Sequence, residues 1–167
     1  MTDKIMNYRI IKTEEYEPLA ELFDANGLHA DLEEGRAEDS VALWRCEELA
    51  DELGNAAEEG NGKLIAAAEL MYTAGVYVLR NIAVSDEYKS QGFGTILLAE
   101  VENEVGQRLG KDGDMWLCAK VPEFYRRFGW SEVDRLDAPD FTECFDCEEY
   151  GVTCFPKVMK KTVKYIK

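Results

Sequence analysis

Histidine is almost absent from this chain: His29 is the single one in 167 residues. That argues against a histidine-based catalytic triad and against a multi-histidine metal centre. Basic residues are also scarce, 19 against 34 acidic ones, giving a formal net charge of −15. A general nucleic-acid binder needs a basic face to displace phosphate counterions, so the balance argues against nucleic acid as a partner. Anionic membranes are disfavoured for the same reason. No apolar run exceeds five residues, as in Leu64–Ala68, far short of a bilayer span. The first eight residues lack the long apolar segment of a signal peptide. Five cysteines cannot all pair internally, and the simplest expected location is a reducing cytoplasm.

What is present suits a globular core: 46% of residues are apolar and 11% aromatic. The length fits one domain over residues 1–167. Tyr8–Ile11 reads as a strand and Tyr16–Gly27 as a helix, with Leu19, Leu22 and Phe23 at helical spacing. Val41–Cys46 and Lys63–Tyr72 read as two antiparallel strands joined by the long loop Leu49–Gly62. Gly75 sets a turn into Val76–Val84, the strongest strand pattern in the chain. A helix is expected from Thr95 to about Leu109, with an apolar stripe through Leu97, Leu98, Val101 and Val105. Strands at Met115–Ala119, Trp130–Val133 and Val158–Ile166, and a short helix Pro122–Arg127, complete the pattern. Together these predict a mixed α/β (α+β) sheet with Val76–Val84 central and helices on its faces.

The chemically informative stretch is Val84–Thr95, where the best strand meets the best helix. A strand running through a glycine-containing loop into a helix aims free backbone N–H groups at one point, and the helix dipole adds positive potential. Gly92 and Gly94 allow an anion to approach the backbone closely. A dinucleotide fingerprint would need glycine where Leu97 stands, and a P-loop would need Gly-Lys-Ser/Thr where Gly94-Thr95-Ile96 stands. Both fail.

The pattern Leu79-x-x-Ile82-Ala83-Val84-x-x-x-Tyr88-Lys89-Ser90-Gln91-Gly92-Phe93-Gly94 resembles motif A of the GNAT superfamily of acyl-CoA-dependent N-acetyltransferases. Some forty residues on, Phe124-Tyr125-Arg126-Arg127-Phe128-Gly129-Trp130 resembles the family's motif B. The resemblance implies a mostly antiparallel central sheet, flanked by helices and splayed at an acetyl-CoA site. It implies acetyl-CoA as co-substrate, with backbone N–H groups of Gln91, Gly92, Phe93, Gly94 and Thr95 on the pyrophosphate. Lys89 would add charge, Ser90 lies within the same loop, and Arg126 and Arg127 are further cations. The edge of Ile82, Ala83 and Val84 would pair with the pantetheine amides like an added strand, and the Val84 N–H would face the oxyanion. Tyr125 stands where many members carry the tyrosine that serves the departing thiolate.

Three positions depart from the family pattern. Lys89 replaces the usual Arg or Gln, which keeps charge but loses the planar fork. Cys118 replaces a common asparagine. Asn81 stands where an acid is often found, so Glu69 on the neighbouring strand becomes the carboxylate candidate for general base. The implied function is acetyl transfer to a primary amine of a small molecule or peptide; the alternative is a catalytically silent acyl-CoA-binding or sensing domain. Both monomers and homodimers occur in the family. Cys144-x-x-Cys147-x6-Cys154 could supply three zinc or iron–sulfur ligands, or simply be a set of thiols, and no metal site is assigned.

Overall fold

A computed structural model describes residues 7–167 except 29, 31, 51–53, 143–145, 147, 149 and 153. His29, Cys144 and Cys147 therefore lie outside the described residues. The elements are β1 (Tyr8–Lys12), α1 (Glu17–Ala25), β2 (Ser40–Glu48), β3 (Leu64–Thr73), β4 (Val76–Val84), α2 (Phe93–Leu109), β5 (Gly113–Ala119), α3 (Pro122–Arg126), β6 (Ser131–Glu132) and β7 (Lys157–Val163). Single 3-10 turns occur at Asp86–Tyr88 and Arg135–Asp137. The strands hydrogen-bond in the order β1-β2-β3-β4-β5-β7-β6, with β4 in the middle. Antiparallel pairing joins β1 to β2, β5 to β7 and β6 to β7, while β4 and β5 are parallel. The mixed, mostly antiparallel sheet matches the expectation.

The chain divides into two compact units, one formed by Met1–Glu69 with Asn81–Glu100, the other by Leu70–Arg80 with Val101–Lys167. In the first unit, α1 buries Leu19 and Phe23 against Leu43 of β2, Ala67 of β3 and Ala83 of β4. Each such side chain contributes about 1.5–3 kcal/mol. Pro18 falls in the first turn of α1, where its missing N–H costs nothing. Gly27, with φ +74°, ends the helix, and the Leu28 N–H returns to the Phe23 carbonyl at 3.0 Å. Trp44 of β2 is 2% exposed.

The long loop after β2 is tied down by a buried charge network. Glu47 accepts from Arg9 Nε at 2.7 Å and from the Gly60 N–H at 3.0 Å, and its other oxygen lies 2.6 Å from Arg45 Nε. That last contact is an ion pair whose alignment falls outside a hydrogen bond. Arg45 also donates to the Gly62 carbonyl, and Arg9 to the Ala57 carbonyl. Both oxygens of a buried carboxylate are thus committed to the loop and the two strands beneath it.

In the second unit, Met71, Val78, Trp116, Phe141 and Val158 form one buried cluster, and Trp130 is 3% exposed. The lysine-rich last strand is no basic patch. Lys157, Lys160, Lys161 and Lys164 face Glu132, Asp114, Glu102 and Asp112 respectively. β7 stops at Val163, short of the expected Ile166, because residues 164–166 turn onto α2. The Gln107 side-chain amide donates to the Ile166 carbonyl, and Asp112 accepts the Tyr165 N–H at 2.8 Å.

Gly106 makes that docking possible: a Cβ there would stand 2.2 Å from the Lys164 carbonyl oxygen. Gly106→Ala gains about 1 kcal/mol of helix propensity but must shift backbone against backbone or release the tail. A net loss of about 1–3 kcal/mol is expected in urea unfolding. Unchanged or raised stability would show that the tail does not seat there.

Candidate functional site

β4 has the span read from sequence, Val76–Val84, and leads into the candidate anion loop. Ala83 is buried against α1, whereas Ile82 and Val84 are half-buried. Register pairs between β4 and β5 run from Tyr77–Met115 to Leu79–Leu117, so Arg80–Val84 continues past the paired stretch.

The loop itself is exposed at Lys89, Ser90, Gln91 and Gly92. Ser90 (φ +64°) and Gly92 (φ +89°) both adopt the left-handed conformation. At Gly92 this is glycine's ordinary freedom, and nothing lies within 4 Å of where its Cβ would be. At Ser90 it is strained, since a Cβ disfavours that region by about 1–2 kcal/mol. α2 begins at Phe93, two residues before the expected Thr95, and its first helical bond runs from the Ile96 N–H to the Gly92 carbonyl at 3.1 Å. The N–H groups of Phe93, Gly94 and Thr95 precede that bond at the positive end of a 17-residue helix. These residues fit a pyrophosphate group: open space beside Gly92, unused helix donors and an adjoining cation.

The cations differ in how free they are. Lys89 Nζ lies 2.8 Å from Asp86, which offsets part of its charge. Arg126 is held by Glu123 at 2.7 Å and Glu132 at 2.8 Å, raising its affinity for its proton. Arg127 has no carboxylate partner among the described residues; its guanidinium lies 5.7 Å from the centroids of both Phe124 and Phe128.

Tyr125, on α3 in the second unit, meets Phe124 edge-to-face at 5.1 Å and Trp130 at 5.9 Å. Burial pushes its phenol up to about 12, so it is protonated throughout the neutral range. Glu69 is fully buried in the first unit and accepts a 3.0 Å hydrogen bond from the Asn81 side-chain amide. Asn81 therefore holds the carboxylate candidate rather than merely replacing an acid. Cys118 sits on β5 opposite Val158. Cys46, Cys118 and Cys154 form no disulfide among the described residues, and burial with the neighbouring Glu47 pushes Cys46 up to about 12. No cluster of metal-ligating side chains occurs among the described residues.

Sequence reading placed Tyr88 in the motif but gave it no role of its own. It is 3% exposed and donates its hydroxyl to Glu48, while its ring meets Phe93 edge-to-face at 6.1 Å. The available signal was a large aromatic inside the polar run Ser85–Gln91, where an exposed ring has no use.

Residues 52–132 match the family model described as an acetyltransferase (GNAT) domain. No curated protein matches the sequence significantly. Among solved structures, the ribosomal-protein-S18-alanine N-acetyltransferase from Escherichia coli is similar at 18% identity and TM-score 0.59, over 96% of each chain. A GNAT family acetyltransferase from Elizabethkingia anophelis, with acetyl-CoA bound, has 16% identity and TM-score 0.57, over 94% of this chain and 99% of that one. N-acetylglutamate synthase from Neisseria gonorrhoeae has 17% identity and TM-score 0.62, covering 96% of this chain but only 36% of its own. At such identities the likeness shows the fold. The domain match covers the anion loop and α3, so residues 52–132 resemble a GNAT acetyltransferase domain within a chain of the same fold.

Proposed function

We propose that this protein moves an acetyl group from acetyl-CoA to a primary amine by direct attack. The observation that carries the reading is the exposed strand-to-helix loop at residues 89–92, with two left-handed residues and unused helix donors, inside the matched acetyltransferase domain. In this reading the N–H groups of Gln91 to Thr95 hold the pyrophosphate, with Lys89 adding charge. Arg80–Val84, past the register pairs of β4 with β5, offers backbone to the pantetheine amides at Ile82, Ala83 and Val84. The Val84 N–H donates to the oxyanion as the carbonyl becomes tetrahedral. Glu69, held by Asn81, is the candidate acceptor for the amine's proton, and Tyr125 serves the departing thiolate.

A net charge of −15 favours a cationic acceptor: an amino acid, a polyamine, an aminoglycoside, or a lysine or N-terminal amine. No described helix is long and apolar enough to cross a membrane, and the odd number of cysteines accords with a proposed cytoplasmic location.

A thermal-shift titration with acetyl-CoA, with NADH and ATP as controls, tests the donor site. At about one hundred times its dissociation constant, acetyl-CoA should add about 2.7 kcal/mol and raise Tm by several degrees. A panel of amines then follows. Binding with turnover supports the enzyme; binding with no turnover on any amine favours the silent acyl-CoA sensor; no shift rejects both.

A further inference from the structure

The four loop residues Lys89–Gly92 are all exposed, so nothing within the loop buries it in place. Its two flanks are buried: Tyr88 is 3% exposed and Phe93 6%. The two rings touch edge-to-face, and Phe93 in turn meets Tyr8 of β1 at 5.3 Å. The loop is therefore a handle whose ends are pinned to one aromatic cluster. The Phe93 ring is held by packing, but Tyr88 also carries a directional side-chain tie, its hydroxyl donating to Glu48 at the end of β2. Lys63 strengthens the corner, lying 5.8 Å from the Tyr88 ring centroid and pairing with Glu87 at 2.7 Å. Upstream, Ser85 donates to the Leu64 and Ile65 carbonyls.

Strained backbone such as that at Ser90 persists only where the surroundings over-determine it. The residue two positions before Ser90 is the one with a charge-assisted, partly buried hydrogen bond to a carboxylate. From this juxtaposition we infer that the Tyr88–Glu48 hydrogen bond sets the shape of the anion loop, making Tyr88 and Glu48 positioning residues for acyl-CoA binding. This rests on the donor-site reading above. Neither side chain touches the donor; the bond holds the backbone N–H groups of the loop in their converging arrangement before the ligand arrives. Pre-arrangement of this kind raises affinity because less ordering remains to be done on binding.

Calorimetric titration with acetyl-CoA, alongside urea unfolding of the unliganded proteins, tests the inference. Tyr88→Phe keeps the ring and removes only the hydroxyl, and should weaken binding by about tenfold, the size of one hydrogen bond to a charged group. Glu48→Ala should give a similar loss, and the double variant no more than either, since both remove the same bond. Glu48→Gln still accepts a hydrogen bond and should recover most of the affinity. A purely structural role would lower the urea midpoint and leave affinity unchanged. Unaltered affinity in Tyr88→Phe, or losses that add in the double variant, would overturn the positioning role. Wild-type protein that binds no acetyl-CoA would overturn the donor-site reading itself, and this inference with it.

Discussion

Glu47→Ala should lower the stability of the first unit by about 3–5 kcal/mol, the cost of leaving a buried charge without its partner. Glu47 is 0% exposed and Arg45 5%, so water cannot take over the lost contact. Without the carboxylate, Arg45 keeps only the Gly62 carbonyl as its described hydrogen-bond partner, and Arg9 keeps the Ala57 carbonyl. The Gly60 N–H also loses its acceptor. Exposed pairs provide the contrast. Lys63 with Glu87 and Lys164 with Asp112 lie at the surface, where such bridges are worth about 0–1 kcal/mol. Replacing Glu47 and Arg45 together by Leu and Met should recover much of the loss, because the charge that needed the carboxylate is gone. Urea unfolding of the three proteins decides the matter. A loss under about 1 kcal/mol for Glu47→Ala would mean that solvent reaches Arg45.

Tyr125→Phe is the second large effect, a fall in kcat of about 10- to 100-fold, corresponding to one hydrogen bond to a developing anion. The size follows from acidity. A phenol at about 12 is roughly 3.5 pH units weaker as an acid than an ordinary thiol, so handing its proton over fully is uphill. Tyr125 would therefore stabilise the thiolate by donating a hydrogen bond, and the variant retains activity rather than losing all of it. The pH profile checks this assignment. The folded phenol stays neutral far above its ordinary value, so no limb due to Tyr125 should appear below pH about 10. The stability consequence has the matching sign. Below pH about 10 the phenol is neutral folded or unfolded; above it the unfolded chain ionises first, and stability falls until pH about 12. An activity loss of less than about threefold would remove Tyr125 from the chemistry and leave it as a packed ring.

The strands were legible where alternation and turn chemistry agreed. Val76–Val84 has β-branched and aromatic residues, and the Ala74-Gly75 pair before it adopts positive φ at both positions, as a two-residue hairpin requires. Ends were less legible. Gly-Phe-Gly reads as loop, yet Phe93 and Gly94 are helical because Phe93 has a buried aromatic cluster to join. The final strand is cut short by tertiary docking through Gly106, which no local pattern announces. At the candidate site, the loop glycines and Tyr125 were singled out by their likeness to the GNAT motifs. The left-handed Ser90 was not, because serine carries no signal for that conformation. Neither was the bond between Asn81 and Glu69, which depends on the pairing of β3 with β4. The Arg9–Glu47–Arg45 network was missed because charged residues in a strand read as solvent-facing, and here the loop above them supplies the missing partners.

The placement of tryptophan gives the protein its own optical labels. Trp44 lies in the first unit's interior, while Trp116 and Trp130 are buried in the second. Emission from Trp44 alone, in a chain with the other two replaced by phenylalanine, reports one unit, and the converse replacement reports the other. Loosening of the first unit and of the second can thus be followed separately in the two variants by intrinsic fluorescence, without attaching a dye.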